Sequence, residues 1–214
     1  MPTSPASSPA NARSPRRSMR CVPFAAAPLL GAAMLLAATL LPTSAHAGSA
    51  LQAGLGVIGS GSTWRGDGGG GSAVRVGYRF TDWLAVDSLI AEQLFSVDQR
   101  MNTGLTLGVS AYWPRQGVRP TARIYAIHQH EEGLVSVLDN PLGVLFGIGD
   151  GIRHRAGGGL SAGAEIPFLE RGRWEWCVVS NAAATYFPDT SLGPAWYVSG
   201  FVGIGLNYAT GETP

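Results

Sequence analysis

The sequence is poor in cysteine, in charge and in helical periodicity. It has two cysteines, Cys21 and Cys177, and no lysine, so each of its 15 basic residues is an arginine. Only 14% of the residues are charged, and no segment after Gly48 has apolar residues at helical spacing. The missing lysine reflects composition bias, whereas the missing helical period argues against a helical domain.

The long apolar run of the chain lies near its N-terminus, roughly over 22–41. Four arginines and no acidic residue precede the run, and the small-x-small pattern Ala-His-Ala follows it at 45–47. This order predicts an N-terminal extension and a cleaved signal peptide within 1–47, and with them export from the cytoplasm. Translation starts at either Met1 or Met19.

The remaining chain, 48–214, is predicted to be one domain. It carries 14 acidic residues and 11 arginines, a net charge of −3, so we expect no nucleic-acid partner. Cys177 is its single cysteine, which excludes an internal disulfide. Nothing in this part indicates a cofactor.

Alternation with a period of two replaces the helical period. From Val74 to Phe80, apolar residues alternate with Arg75, Gly77 and Arg79. Alternation of this kind predicts strands with different surroundings on their two faces. Eight segments qualify as strands, at 50–60, 73–80, 83–95, 102–113, 119–130, 157–168, 173–187 and 195–208. The third is irregular, since Ser88 and Glu92 share its apolar face, which indicates a bulge or another register.

The connections between these segments predict the architecture. Thr81-Asp82, 114–118 and 169–172 are short, and they alternate with looser connections at 61–72, 96–101, 131–156 and 188–195. Short periplasmic turns alternating with longer extracellular loops are typical of transmembrane barrels. We therefore predict an all-β fold, an eight-stranded antiparallel up-and-down barrel in the bacterial outer membrane.

Aromatic residues support the same prediction. Trp and Tyr favour membrane interfaces because their rings are apolar while their N–H or O–H groups need a polar partner. The strand ends beside the short turns carry a predicted aromatic girdle made of Phe80, Trp83, Trp113, Phe168, Trp174, Trp176 and Tyr208. The opposite rim is predicted to carry Phe95, Tyr186, Phe187, Trp196 and Tyr197.

Two segments carry a family resemblance. VGYRFTDWLAVD (76–87), with its Gly-Tyr strand end, two-residue turn and aromatic restart, resembles a hairpin of the OmpA-like eight-stranded barrel superfamily. FVGIGLNY (201–208) resembles the C-terminal signal read by the barrel assembly machinery, although six residues follow Tyr208. The resemblance implies outer-membrane lipid, lipopolysaccharide and that machinery as partners. It implies no activity and no oligomeric state.

The polar faces of the strands point into the lumen if the apolar faces meet lipid. The charged residues on these faces are Arg75, Arg79, Asp87, Arg123, Glu165 and Glu175. Eight strands enclose an interior that side chains can fill, and buried charges need partners. We expect a plug of Arg–carboxylate pairs; the alternative for the same residues is an ion gate or narrow pore.

The sequence indicates two further sites only weakly. His128, His130 and Glu132 alternate on one strand face, a spacing compatible with a metal, and His154 is able to approach from the far end of the loop. Ser180-Asn181 matches part of the His-x-Ser-Asn motif of lipid A 3-O-deacylases, but position 178 is Val. A triad from Ser136 or Ser180 with a histidine is a minor alternative, so we expect no enzyme.

The segment 131–156 is too apolar for an ordinary solvated loop. It extends a hairpin, caps the barrel or binds an apolar partner, or else 142–149 forms a further strand. The overall prediction is a structural or interaction protein of the cell envelope. The alternatives, in order, are a narrow channel or binder of small apolar molecules, and a lipid-modifying enzyme.

Overall fold

Eight antiparallel strands close into a barrel in the computed structural model, which describes residues 48–62, 66–113, 117–139, 142–143, 147–148 and 151–210, without the side chains of Asp98 and Ser136. The strands are β1 (Ala50–Ser62), β2 (Gly68–Arg79), β3 (Leu84–Phe95), β4 (Arg100–Tyr112), β5 (Arg119–Gly133), β6 (Arg153–Arg171), β7 (Trp174–Tyr186) and β8 (Trp196–Ala209). The predicted fold class is confirmed. The predicted signal peptide lies outside the described residues.

Each strand pairs with its neighbour in sequence, and β8 closes the barrel by pairing with β1. A 3-10 turn, Val97–Gln99, links β3 to β4, and a short helix α1 (Leu134–Asp139) follows β5. Leu142 and Gly143 are also helical, so no described residue of 142–149 forms the extra strand considered above. None of the described helices is long and apolar enough to cross a membrane.

The alternation of connection lengths is weaker than predicted. The link 96–99 has four residues, fewer than the six of 113–118, and only the connections 134–152 and 187–195 are long. The glycine-rich segment is largely strand, since β2 begins at Gly68. A Cβ on Gly71 would lie 1.8 Å from the Glu92 carbonyl oxygen, so glycine permits this close pairing with β3.

The third strand has no bulge. The pairing of β3 is regular on both sides, so Ser88 and Glu92 do share the outer face with Val86 and Ile90. A register shift occurs instead between Pro167 and Leu169 of β6. Proline lacks the N–H that a ladder requires, which places the irregularity at this residue.

The outer surface is apolar and the inner surface mixed. Leu51, Leu55 and Val57 of β1 are 53–67% exposed, while Gln52 and Ile58 on the opposite face are buried. One side of the lumen holds an apolar group of Ile58, Ala73, Ala91, Cys177, Val179 and Phe201. Cys177 is therefore a packing residue, as its alternation indicates.

Glycines face each other on the lumen side of the β1–β8 seam. Gly54 pairs with Gly205 and Gly56 with Gly203. A Cβ on Gly56 or on Gly203 would lie 2.8 Å from the ring of Phe201. The two glycines thus provide the space that this ring occupies.

Candidate functional site in the barrel lumen

Four charged side chains meet in the middle of the lumen and form what we call the central cluster: Arg75, Asp87, Arg123 and Glu165. Arg75 Nη2 lies 3.1 Å from Asp87 Oδ2, and its Nη1 lies 3.0 Å from Glu165 Oε1. Arg123 forms an ion pair with the same Asp87. Arg75 thereby connects β2 and β3 to β6, on another side of the barrel, and the two positive charges balance the two negative ones.

Neutral groups complete the hydrogen bonding of the central cluster. Tyr112 is fully buried; it accepts a hydrogen bond from Arg75, and its hydroxyl donates to Gln52 Oε1 at 3.2 Å. Ser110 donates to Asp87. A buried ion pair is tolerated when further hydrogen bonds satisfy its remaining polar atoms. Tyr112 and Ser110 supply such bonds, while Glu165 Oε2 is buried without a hydrogen-bond partner among the described residues.

A second group, the outer cluster, lies nearer the long connections and consists of Asp67, Arg100, Glu131 and Arg155. Arg100 forms an ion pair with Asp67, and its Nη1 lies 2.8 Å from Glu131 Oε2. Arg155 Nη1 lies 3.7 Å from Glu131 Oε1. All four side chains are buried, and two arginines again balance two carboxylates.

The outer cluster also holds the connections. Arg155 Nη2 donates to the carbonyl oxygens of Pro194 and Asp189, at 2.7 and 3.0 Å, in the β7–β8 connection. Asp67 Oδ1 accepts from the Val97 backbone N–H at 3.0 Å. Within the β7–β8 connection, the Ser191 hydroxyl and backbone N–H donate to the Asp189 carboxylate and lower its pKa below the usual value.

A third pair lies toward the short turns. Glu175 pairs with Arg119 and accepts a hydrogen bond from Asn207 Nδ2 at 2.8 Å. Arg79 is also in the lumen, where its guanidinium lies 5.0 Å from the centre of the Tyr112 ring. The six charged residues singled out in the sequence thus all point inward, but Arg79 stacks on a ring instead of pairing with a carboxylate.

A cavity of about 80 Å³ lies along the lumen, and its walls include residues of the central cluster. Polar residues such as Asn102 and Gln129 share the wall with Leu89, Ile127 and Phe187. This volume has room for a few waters, whereas pockets for drug-sized ligands measure about 300–1,000 Å³. The cavity is too small for a ligand of that size.

Sequence reasoning missed the outer cluster and Arg119. Arg119 and Glu131 have the same parity as Arg123 on β5. Arg119 already lies within the predicted strand, and extending the alternation by one residue would have placed Glu131 in the lumen as well. Arg155 lies in the part of β6 that was predicted to be loop. Asp67 lies in a connection, where alternation gives no signal.

The predicted aromatic girdle lies on the outside of the barrel at the short-turn end. Phe80, Phe168 and Trp174 are 47–58% exposed, and the rings of Trp174 and Tyr208 lie 4.5 Å apart. Trp83 and Trp176 also face outward, and Trp113 is half-buried.

The prediction for the opposite rim is wrong for three of its five residues. Phe95, Phe187 and Tyr197 are buried in the lumen, where they pack together. Tyr186 and Trp196 stay outside, with their rings 4.8 Å apart. Consecutive strand residues point to opposite faces, so the adjacent aromatics Trp196 and Tyr197 cannot both face lipid.

The three described histidines lie close together, and Ser180 lies far from all of them. His128, His130 and His154 converge on the outer surface, whereas Glu132 is not among the residues whose ligand atoms meet there. Ser180 pairs with Ala164 of β6, ten residues and therefore about 33 Å along the strand from His154. Ser180 therefore does not form a triad with any of the three described histidines, and the side chain of Ser136 lies outside those described.

Solved structures share this fold. The N-terminal β-barrel domain of OprF from Pseudomonas aeruginosa is 15% identical and aligns with a TM-score of 0.51 over 76% of this chain and 98% of that one. Neisserial surface protein A is 14% identical, with a TM-score of 0.50 over 75% and 96%. The fold is that of a small outer-membrane barrel. No protein-family profile and no curated protein sequence matches the chain.

Proposed function

We propose that this barrel is a structural or interaction protein of the bacterial outer membrane whose lumen is sealed by its ion pairs. The observation that carries the proposal is the central cluster, in which Arg75 bridges Asp87 and Glu165 from separate strands. The outer cluster forms a second closure above it. The ion pairs bridge separate strands at both levels.

An ion crossing the barrel would have to separate these pairs. Asp87 and Glu165 are buried, so a carboxylate that loses its arginine faces a poorly hydrated interior. Breaking a buried pair by removing one partner costs about 3–5 kcal/mol. This cost supports a closed lumen.

The outer surface supports the lipid environment. Apolar side chains on several strands, such as Leu55, Leu107 and Val198, are 63–64% exposed, and aromatic residues lie at the strand ends. Such a band suits hydrocarbon between two interfaces. Lipid and lipopolysaccharide are therefore the proposed surroundings, and the barrel assembly machinery, reading the β8 terminus, is the proposed partner during biogenesis.

Conductance in planar bilayers tests the sealed lumen. The wild-type barrel should show no sustained conductance. Arg75→Ala should open a small cation-selective conductance, because Asp87 and Glu165 would line the vacated space. Arg171→Ala is the matched control, since Arg171 is exposed at the β6–β7 turn, and it should behave as wild type. Large wild-type conductance would overturn the proposal.

The second candidate is a narrow channel or a binder of small apolar molecules. The observation in its favour is the long β5–β6 connection, where Val135, Leu138, Leu142 and Ile148 are 68–74% exposed. Replacing Val135 and Leu138 by Gln in cells and measuring uptake of an apolar fluorescent probe tests this candidate. Unchanged uptake would count against it. A changed lipid A mass profile on expression would instead favour an enzyme.

A further inference from the structure

Three of the four histidines in the chain converge on the outer surface of the β5–β6 hairpin. His128 and His130 alternate on β5, and His154 of β6 is the strand partner of His130. Tyr125 and Gln129 occupy the lumen face of β5, so the alternate residues His128 and His130 face outward. The three imidazoles therefore share one external face.

Their separations suit a common ligand. The His130 ring centre lies 4.7 Å from those of His128 and His154, and His154 Nδ1 lies 3.4 Å from His128 Nε2. One nitrogen from each ring lies within 4.8 Å of the other two. Tetrahedral Zn²⁺ with Zn–N bonds of about 2.0–2.1 Å holds its nitrogens roughly 3.3 Å apart. Small side-chain rotations close the difference.

A second observation concerns the central imidazole. The Nδ1 atom of His130 is buried and has no hydrogen-bond partner among the described residues. Gly147 lies over the ring: a Cβ at this glycine would be 2.3 Å from His130 Cε1, and its φ is +68°. The long connection thus covers one side of the ring, while a buried ring nitrogen is left without a partner.

The cluster lies beyond the aromatic ring pair at the loop end. Tyr186 of that pair is the strand partner of Gly158, and His154 is four residues further along β6 toward the long connection. Four residues of strand span about 13 Å. His128 and His154 are exposed at this height, so an ion reaches them from the aqueous side.

We propose that His128, His130 and His154 form an extracellular surface site for a borderline divalent cation, with Zn²⁺ as its test ion. Three imidazoles leave the fourth tetrahedral position open to water or to an external ligand. Imidazole suits Zn²⁺ and Cu²⁺, whereas Mg²⁺ and Ca²⁺ prefer oxygen ligands. A bound ion would join β5 to β6 at the base of the long connection.

Calorimetric titration tests the site on protein purified from outer membranes without a histidine tag. ZnCl₂ should bind with one ion per chain, and MgCl₂ should give no binding heat. His128→Gln and His154→Gln should each weaken zinc binding by about 10–100-fold or more. Loss of a residue that only orients a metal ligand already has an effect of this size. Heat-modifiable gel migration should be the same for all variants, because both side chains lie outside the barrel.

Cys177→Ser is the matched control, since this thiol is a further residue type that binds zinc but is buried in the lumen, away from the three histidines. It should leave zinc affinity unchanged. X-ray absorption at the zinc edge should show scattering from three imidazoles. Absence of binding at millimolar zinc, fewer than three imidazoles, or wild-type affinity in the triple His→Gln variant would overturn the proposal.

Discussion

The central and outer clusters contain the same charges but are built differently. The four charges of the central cluster all come from strands: β2, β3, β5 and β6. The outer cluster takes Asp67 from a connection, and its Arg155 binds backbone carbonyls of another connection. The first therefore links strands across the lumen, while the second also fastens connections to the strands.

The two clusters should therefore respond differently when one of their charged side chains is removed. Loss of a charge in the central cluster leaves the connections fastened, because none of their atoms participates. Loss of Glu131 removes the carboxylate that pairs with Arg155, the side chain that binds the β7–β8 connection, so it should loosen that connection as well as break ion pairs. Stability and protease sensitivity together distinguish the two cases.

The largest effect is expected for Glu131→Gln. Glu131 is fully buried and is the carboxylate shared by Arg100 and Arg155. Its loss leaves two buried arginines with Asp67 as the one carboxylate of the cluster. The free energy of unfolding in lipid vesicles, measured by urea titration, should fall by about 3–5 kcal/mol. Protease should also cut the β7–β8 connection faster. Glu170→Gln, at an exposed position, should change neither.

Asp87→Asn should have a smaller effect and should not loosen the connections. Arg75 keeps Glu165, and Arg123 keeps its hydrogen bond to Thr106 at 2.8 Å, so each arginine retains a partner. The same urea titration should show a loss of about 1.5–3 kcal/mol. Wild-type resistance of the connections to protease is expected, and rapid cleavage there would contradict the division between the clusters.

Arg119→Ala probes the pair nearest the short turns and should cost less again. Arg119 and Glu175 retain 16% and 18% of their side-chain exposure, and water therefore screens the pair. We expect a loss of about 1 kcal/mol in the free energy of unfolding. A loss as large as that of Glu131→Gln would mean that depth in the barrel does not determine the contribution of an ion pair.

The smallest effect concerns Asp189. Hydrogen bonds from Ser191 lower the folded-state pKa of this carboxyl, so its contribution to stability is present above the unfolded-state pKa and is lost as pH falls through the folded value. Ser191→Ala should raise the pKa of Asp189, as followed by carboxyl NMR shifts. The pKa should be unchanged in Ser72→Ala, on β2; an equal rise there would exclude the local cause.

The alternation of apolar and polar residues predicted most of the fold and the residues of the central cluster. Arg75 and Asp87 could be placed in the lumen because a pleated strand fixes the side of every second residue. Asp67 and Arg155 could not, since their positions depend on where the strands end and on tertiary pairing. The prediction for Phe95 is wrong because its position on β3 follows its parity with Asp87, which places the ring in the lumen, and not its aromatic character.

The glycine pairs of the β1–β8 seam affect how the first and last strands find their register when the barrel closes. A barrel becomes closed when its first and last strands meet. At Gly54–Gly205 and Gly56–Gly203 the paired residues have no side chains, and the Phe201 ring of β8 packs over Gly56 of β1. Register is weakly specified in glycine-rich strands, so the lipid-facing rows of Leu55 and Ile204 must select it. We therefore expect substitutions of these lipid-facing residues to disturb the register of the seam more than substitutions elsewhere on the outer surface.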